Sequence, residues 1–220
     1  MGNGDRGIQS EVAQTIANKL TATLSPDEKK WIEAKPTDNL EAYDLYLRAK
    51  ELIADVYASF LHRNVAKPLR DAISFLEKAT QLDPKFTLAY CKSAEAHDLL
   101  YTQDDPTPER RALGDDAVNS ALSLQPDLPE AHLTYARHLY LGYRDYDRAR
   151  VQLAIAKRGL PNNVEAIHIE ARIFGRQGDF EKAIQELNEA IRRDPCDWDS
   201  IQSLAVLLYY MRQFRVAEQA

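Results

Sequence analysis

The sequence predicts an all-α chain made of stacked helical hairpins, and three observations carry that prediction. Residues 164–197 read VEAIHIEARIFGRQGDFEKAIQELNEAIRRDPCD, two amphipathic helical patterns around one turn. Pro84, Pro126, Pro161 and Pro195 stand 42, 35 and 34 residues apart. Three series of small residues take the same uneven steps: Ala94, Ala136, Ala171 and Ala205; Ala79, Ala121, Ala156 and Ala190; Ala72, Gly114, Ala149 and Ala183. Shared uneven steps mean one unit with insertions, not a general abundance of alanine.

The unit at 164–197 justifies itself residue by residue. Ile167, Ala171 and Phe174 mark one face of its first helix. Phe180, Ala183, Ile184, Leu187, Ala190 and Ile191 mark one face of its second. Gly178 sits where a helix ends in a left-handed residue, a conformation glycine adopts without a Cβ penalty. Asp179 suits an N-cap, and Pro195 stops the second helix because it has no N–H and disfavours helix at Asp194. Each helix is about a dozen residues and marginal alone, so burial of one face against its neighbours must stabilise it. Leu76, Val118, Leu153 and Leu187 are the expected fillers between the small residues, and Leu187→Ala should cost about 2–5 kcal/mol.

This unit resembles the tetratricopeptide repeat, a 34-residue helix–turn–helix. The resemblance is carried by Ala171, Phe174, Gly178, Phe180, Ala183, Ala190 and Pro195, and covers roughly Leu40 to Ala220. The sequence departs from the family at Glu170, where Leu is usual, and at Ile167, where Trp is common. The resemblance implies a right-handed superhelical solenoid whose concave surface is lined by the first helix of each repeat. It says little about function, because the family is a scaffold with many different partners.

Taken in order, residues 1–38 form a predicted N-terminal extension. Ile8, Val12, Ile16 and Leu20 step by four, an extra amphipathic helix. Ser25-Pro26-Asp27-Glu28 suits the start of a short second helix. The stretch PTDNLEAYDLYLR at 36–48 is similar to the junction in bacterial multidomain signalling proteins where a TolB-like domain ends and the repeats begin. That similarity implies an adenylate cyclase, winged-helix regulator or kinase upstream. Repeats are expected at about 40–86, 87–128, 129–163 and 164–197, with a partial fifth at 198–220. The first has a long leading helix, reaching toward Leu61, and a loop from His62 to Pro68. The second has an Asp- and Pro-rich turn from Thr102 to Pro108, and the third an extra residue in its turn at 143–146. The chain is expected to be part of a longer protein, since Val216 to Ala220 stop in mid-helix.

A hydrophobic fraction of 45% with 28% charged residues fits a folded chain, and a net charge of −6 argues against nucleic acid as partner. Two cysteines, Cys91 and Cys196, occupy non-equivalent positions and read as free thiols. No leader peptide or membrane-spanning run is expected from these residues, and they show no phosphate-binding glycine loop, nucleophile elbow or protease signature. Of the five histidines none pairs with another His or Cys at ligand spacing. Asp104-Asp105 and Asp115-Asp116 read as loop charge and helix capping rather than calcium ligands. No cofactor, metal or catalytic residue is therefore expected, and the cytoplasm is the expected compartment, the periplasm if a membrane span precedes.

The resemblance also places a ligand-facing stripe on each first helix, three before, one after and four after the small Ala. It gives Cys91, Glu95 and Asp98 in the second repeat, and Leu133, Arg137 and Tyr140 in the third. The fourth supplies His168, Arg172 and Gly175 with Arg176 adjacent, and the fifth Gln202, Val206 and Tyr209. Arg binds carboxylates bidentately and Tyr offers amphipathic area at low entropy cost, so the expected partner is a protein segment with acidic residues near Arg137 and Arg172. The competing readings are a solvated charged face without a ligand, a non-catalytic part of an enzyme whose catalytic domain lies elsewhere, and self-association. Self-association would use the N-terminal helix or the apolar residues Leu204, Leu207, Leu208 and Phe214.

Overall fold

A computed structural model describes residues 36–58 and 65–218, and every regular element among them is helical. The two expected N-terminal helices and the chain's last residues lie outside the described residues. Helices α1 (Leu40–Ala58) and α2 (Ala66–Leu82) pair, as do α3 (Thr87–Gln103) and α4 (Pro108–Leu124). So do α5 (Pro129–His138) with α6 (Tyr146–Gly159), and α7 (Val164–Arg176) with α8 (Phe180–Arg193). Helix α9 (Trp198–Glu218) follows and packs on α8. The chain divides between Leu124 and Gln125 into two compact units.

In the first unit Asn39 caps α1: its Oδ1 accepts from the Ala42 amide at 3.0 Å and its amide donates to the Leu82 carbonyl at 3.2 Å. One side chain thus ties the start of one helix to the end of the next. The core runs through Ala42, Ala49, Ile53, Leu69, Ala72, Leu76, Ala79, Phe86 and Leu100. Helix α2 starts at Ala66, so Pro68 lies in its first turn and not in a loop. A first-turn proline is tolerated because its missing N–H would have had no intrahelical partner. The turn between α3 and α4 is stapled by Asp105, which accepts from Arg110 Nε and Thr107 Oγ1, both at 3.0 Å. Asp115 and Asp116 fall in the middle of α4, so they cap nothing.

In the second unit the recurring small residues do what their spacing predicts. Ala136, Ala149, Ala156 and Ala190 are fully buried, with Ala171 and Ala183 almost so, while Leu153 and Leu187 fill the gaps between them. The small residues let the helices approach closely; Gly159 is an extreme case, since a Cβ there would lie 2.2 Å from Pro129 Cγ. Ala205 breaks the series: its counterparts Ala94, Ala136 and Ala171 are buried, and it is exposed.

The turns follow one backbone rule. Gly178 is left-handed with φ 83°, and Asp179 caps α8 by accepting from the Lys182 amide at 3.3 Å. One repeat earlier Arg144 is left-handed with φ 54°, and Asp145 caps α6 by accepting from the Arg148 amide at 3.1 Å. The extra residue of the third repeat is not in that turn. It is absorbed before it, where Leu139–Tyr143 widens into a π-helical turn. Because the left-handed residue and the cap are fixed relative to α6, the added residue has to be accommodated in the preceding helix.

Glu170 departs from the usual apolar residue for an electrostatic reason: it pairs with Lys157 of α6, whose ammonium also lies 3.9 Å from Glu186 of α8. Ile167 is buried and supplies the apolar bulk expected of it.

Candidate partner-binding face

The predicted stripe separates into parts with different environments. In the first unit Glu95 and Asp98 are buried on α3. Glu95 accepts from Lys92 Nζ at 2.5 Å and from the Tyr57 hydroxyl at 3.2 Å, which internalises the acidic part of the stripe instead of opening it to a ligand. Cys91 beside them is buried, and Cys196 in the second unit is exposed.

In the second unit Leu133, Arg137, Tyr140 and His168 are also buried. Arg137 of α5 is engaged by Glu165 of α7, an ion pair in which the arginine side chain is 8% exposed. His168 Nε2 lies 2.9 Å from Ser203 Oγ of α9. Burial, and next the Arg172 cation, lower its pKa to about 4, so the ring is neutral at neutral pH. Gln202 is half-buried, and Tyr209 is 62% exposed with its ring edge-on to Tyr210.

Arg172 and Arg176 are the exposed cations of the stripe. They lie four residues apart on α7 and therefore on one face. Both lie beside Tyr140. The Arg172 guanidinium stands 5.7 Å from the centre of its ring, and Arg176 lies close enough to its hydroxyl for that group to raise the Arg176 pKa further. Tyr146 and Tyr210 also lie close enough to Arg176 to add to that rise. Among the described residues neither guanidinium forms an ion pair with a carboxylate.

Sequence reasoning missed several members of this face. Glu165, an acid in the first turn of α7 that the sequence reading did not single out, occupies Arg137. Asp199, half-buried at the start of α9, has a raised pKa through burial first and the neighbouring Asp197 second, with Arg172 opposing. Ser200 is fully buried with no hydrogen bond to its Oγ, at the place of Ala89, Ala131 and Ala166 in earlier repeats. The signal for the acids was available: Glu165 and Asp199 stand at the same repeat position, 34 residues apart. Among the described residues no three His, Cys, Asp or Glu side chains gather as metal ligands would, and no helix is long and apolar enough to cross a membrane.

Helical hairpins of this build, with a left-handed turn residue and buried small residues at fixed steps, are what the tetratricopeptide-repeat family describes, and residues 164–195 match that family. Those residues are a tetratricopeptide repeat. The described residues have the fold of tetratricopeptide-repeat proteins, as the solved structures the chain resembles show. A thermophilic tetratricopeptide-repeat protein of Thermus thermophilus is 18% identical, with a TM-score of 0.62 over 90% of this chain and 95% of that one. The pilF protein of Pseudomonas aeruginosa is 18% identical, with a TM-score of 0.52 over 80% of this chain and 74% of that one. No curated protein matches in sequence. Likeness at this identity speaks for the fold alone.

Proposed function

We propose that the chain is a non-catalytic protein-interaction module that holds an acidic partner segment against Arg172, Arg176 and the tyrosines around them. The observation that carries this reading is two exposed guanidinium groups on one helical face, beside a buried tyrosine and without an internal carboxylate bonded to either. Such a face has charge to offer a ligand, and Arg172 loses little side-chain freedom on binding, since the Tyr140 ring already restrains it. Arg137, expected to share this role, is committed to Glu165 and is left out of it. The similarity of residues 36–48 to a signalling junction supports a regulatory setting within a larger bacterial protein.

The test is a photo-crosslinking residue at position 209, with cross-links compared between the otherwise unchanged chain and Arg172→Glu/Arg176→Glu. Discrete protein adducts that disappear in the charge-reversed chain are expected. Adducts indifferent to the reversal would end the reading.

Self-association is a second reading, favoured by the exposed apolar residues of α9: Trp198, Val206, Leu208, Tyr209 and Tyr210, beside the uncovered Ala205. Sedimentation over a range of concentrations separates the two, and a concentration-independent monomer would remove this one.

A further inference from the structure

The repeat itself identifies what the open arginines lack. Arg137 and Arg172 occupy the same position one repeat apart, as do Glu165 and Asp199. Glu165 ion-pairs with Arg137. Asp199 is the counterpart acid for Arg172, yet no hydrogen bond or ion pair joins them among the described residues. Asp is one methylene shorter than Glu, and Asp199 is half-buried beside Asp197, which resists its ionised form. The internal neutralisation that closes Arg137 is thus absent at Arg172, and Arg176 adds a second cation one turn away.

A single carboxylate satisfies one guanidinium fork. Here two forks four residues apart share one helical face, Arg172 over the ring of Tyr140 and Arg176 near the same tyrosine. We infer that Arg172 and Arg176 together take one doubly negative group of the partner peptide, either a phosphorylated side chain or two adjacent carboxylates. This rests on the reading of the face given above and adds the charge state of what it holds. A phosphoryl group offers three acceptor oxygens, enough for both forks, and two neighbouring carboxylates offer one for each. His168, neutral and bonded to Ser203, adds no charge, so the pair sets the charge the ligand must carry.

The test uses the whole purified chain and four immobilised peptide libraries of random sequence around a fixed centre: phosphoserine, Glu-Glu, single Glu or Ser. The phosphoserine or the Glu-Glu library, or both, should yield binders about tenfold tighter than the single-Glu and Ser libraries. Which of the two does so identifies the source of the charge. Arg172→Gln or Arg176→Gln should each remove most of that preference, while Arg158→Gln, the same charge change on α6, should leave it intact. Helical circular dichroism confirms that each variant is folded. Single Glu performing as well as the doubly charged centres would overturn the inference. So would a single-stranded RNA that binds the arginine pair more tightly than any peptide. Single-Glu binders lost on Arg172→Gln would overturn it while leaving the acidic-segment reading standing; charge-indifferent peptides, or no binder from any library with no cross-link at position 209, would remove both.

Discussion

Arg144 and Gly178 occupy one position of the repeat in one backbone conformation, with φ 54° and 83°. A residue with a Cβ costs about 1–2 kcal/mol in that region, and glycine nothing comparable. Arg144→Gly should therefore relieve strain, less the extra freedom glycine gives the unfolded chain, about 0.5–1 kcal/mol. The net expectation is stabilisation by about 0.5–1 kcal/mol. Gly178→Ala is the mirror experiment. Nothing lies within 4 Å of a Cβ built there, so any loss, about 1 kcal/mol, comes from the backbone and not from a clash. Urea unfolding measures both as shifts of the midpoint at unchanged slope, and amide exchange in α5 and α6 localises the first. Arg144→Ala separates side chain from backbone, since it keeps the strain and removes the guanidinium. If Arg144→Gly lowered the midpoint, or if Arg144→Ala raised it equally, strain at φ 54° would not be what this turn carries.

Ser200→Ala restores the alanine of earlier repeats and removes a buried hydroxyl without a partner, so it should stabilise by about 1 kcal/mol in the same unfolding assay. Glu170→Gln should cost about 1–2 kcal/mol, a value held down by the partial exposure of Lys157 and Glu170, whereas Lys157→Met with Glu170→Leu should return to within about 1 kcal/mol of the original; a double-mutant cycle reads the coupling. His168 has a native pKa of about 4 against an ordinary 6.5, so between those values the unfolded chain binds a proton that the native chain does not. Stability should fall by up to about 3 kcal/mol as the pH drops from 6.5 to 4, and His168→Gln should flatten that slope; an unchanged slope would place the acid sensitivity elsewhere.

The parts of the fold that depend on local backbone rules were legible in the sequence. Gly178 and Asp179 announced a left-handed turn residue and a cap because Pro195 and the apolar periodicity fixed the helix ends around them, whereas Asp115 and Asp116 had no such boundary beside them. The steps between Ala79, Ala121, Ala156 and Ala190 needed only counting, because close helix approach demands a small side chain at each. The position of the inserted residue was not legible. Counting placed it in the turn at 143–146, but the Arg144–Asp145 turn is fixed to α6, and the insertion widened Leu139–Tyr143 instead. Pro68 misled for a similar reason, since a proline marks the outside of a helix and its first turn equally well. At the candidate face, residue type and face were legible for Arg172 and Arg176. The capture of Arg137 by Glu165 was not, because that pair forms between neighbouring hairpins and needs their relative placement.

That capture explains why one repeat position produces two electrostatic outcomes. Arg137 and Arg172 share a position, and so do Glu165 and Asp199. Had the fifth repeat kept Glu, both arginines would be neutralised internally and the face would carry a structural ion-pair ladder with little to offer a ligand. The shorter acid, half-buried and next to Asp197, leaves Arg172 to the ring of Tyr140, and the π-helical turn that begins at Leu139 contributes that ring. Two local departures from the repeat, one methylene shorter at 199 and one residue longer before 144, therefore meet at the same guanidinium. A face kept open by departures from its own repeat is better placed to be selective than one built from the repeat's invariant residues, since the invariant residues are those that pack.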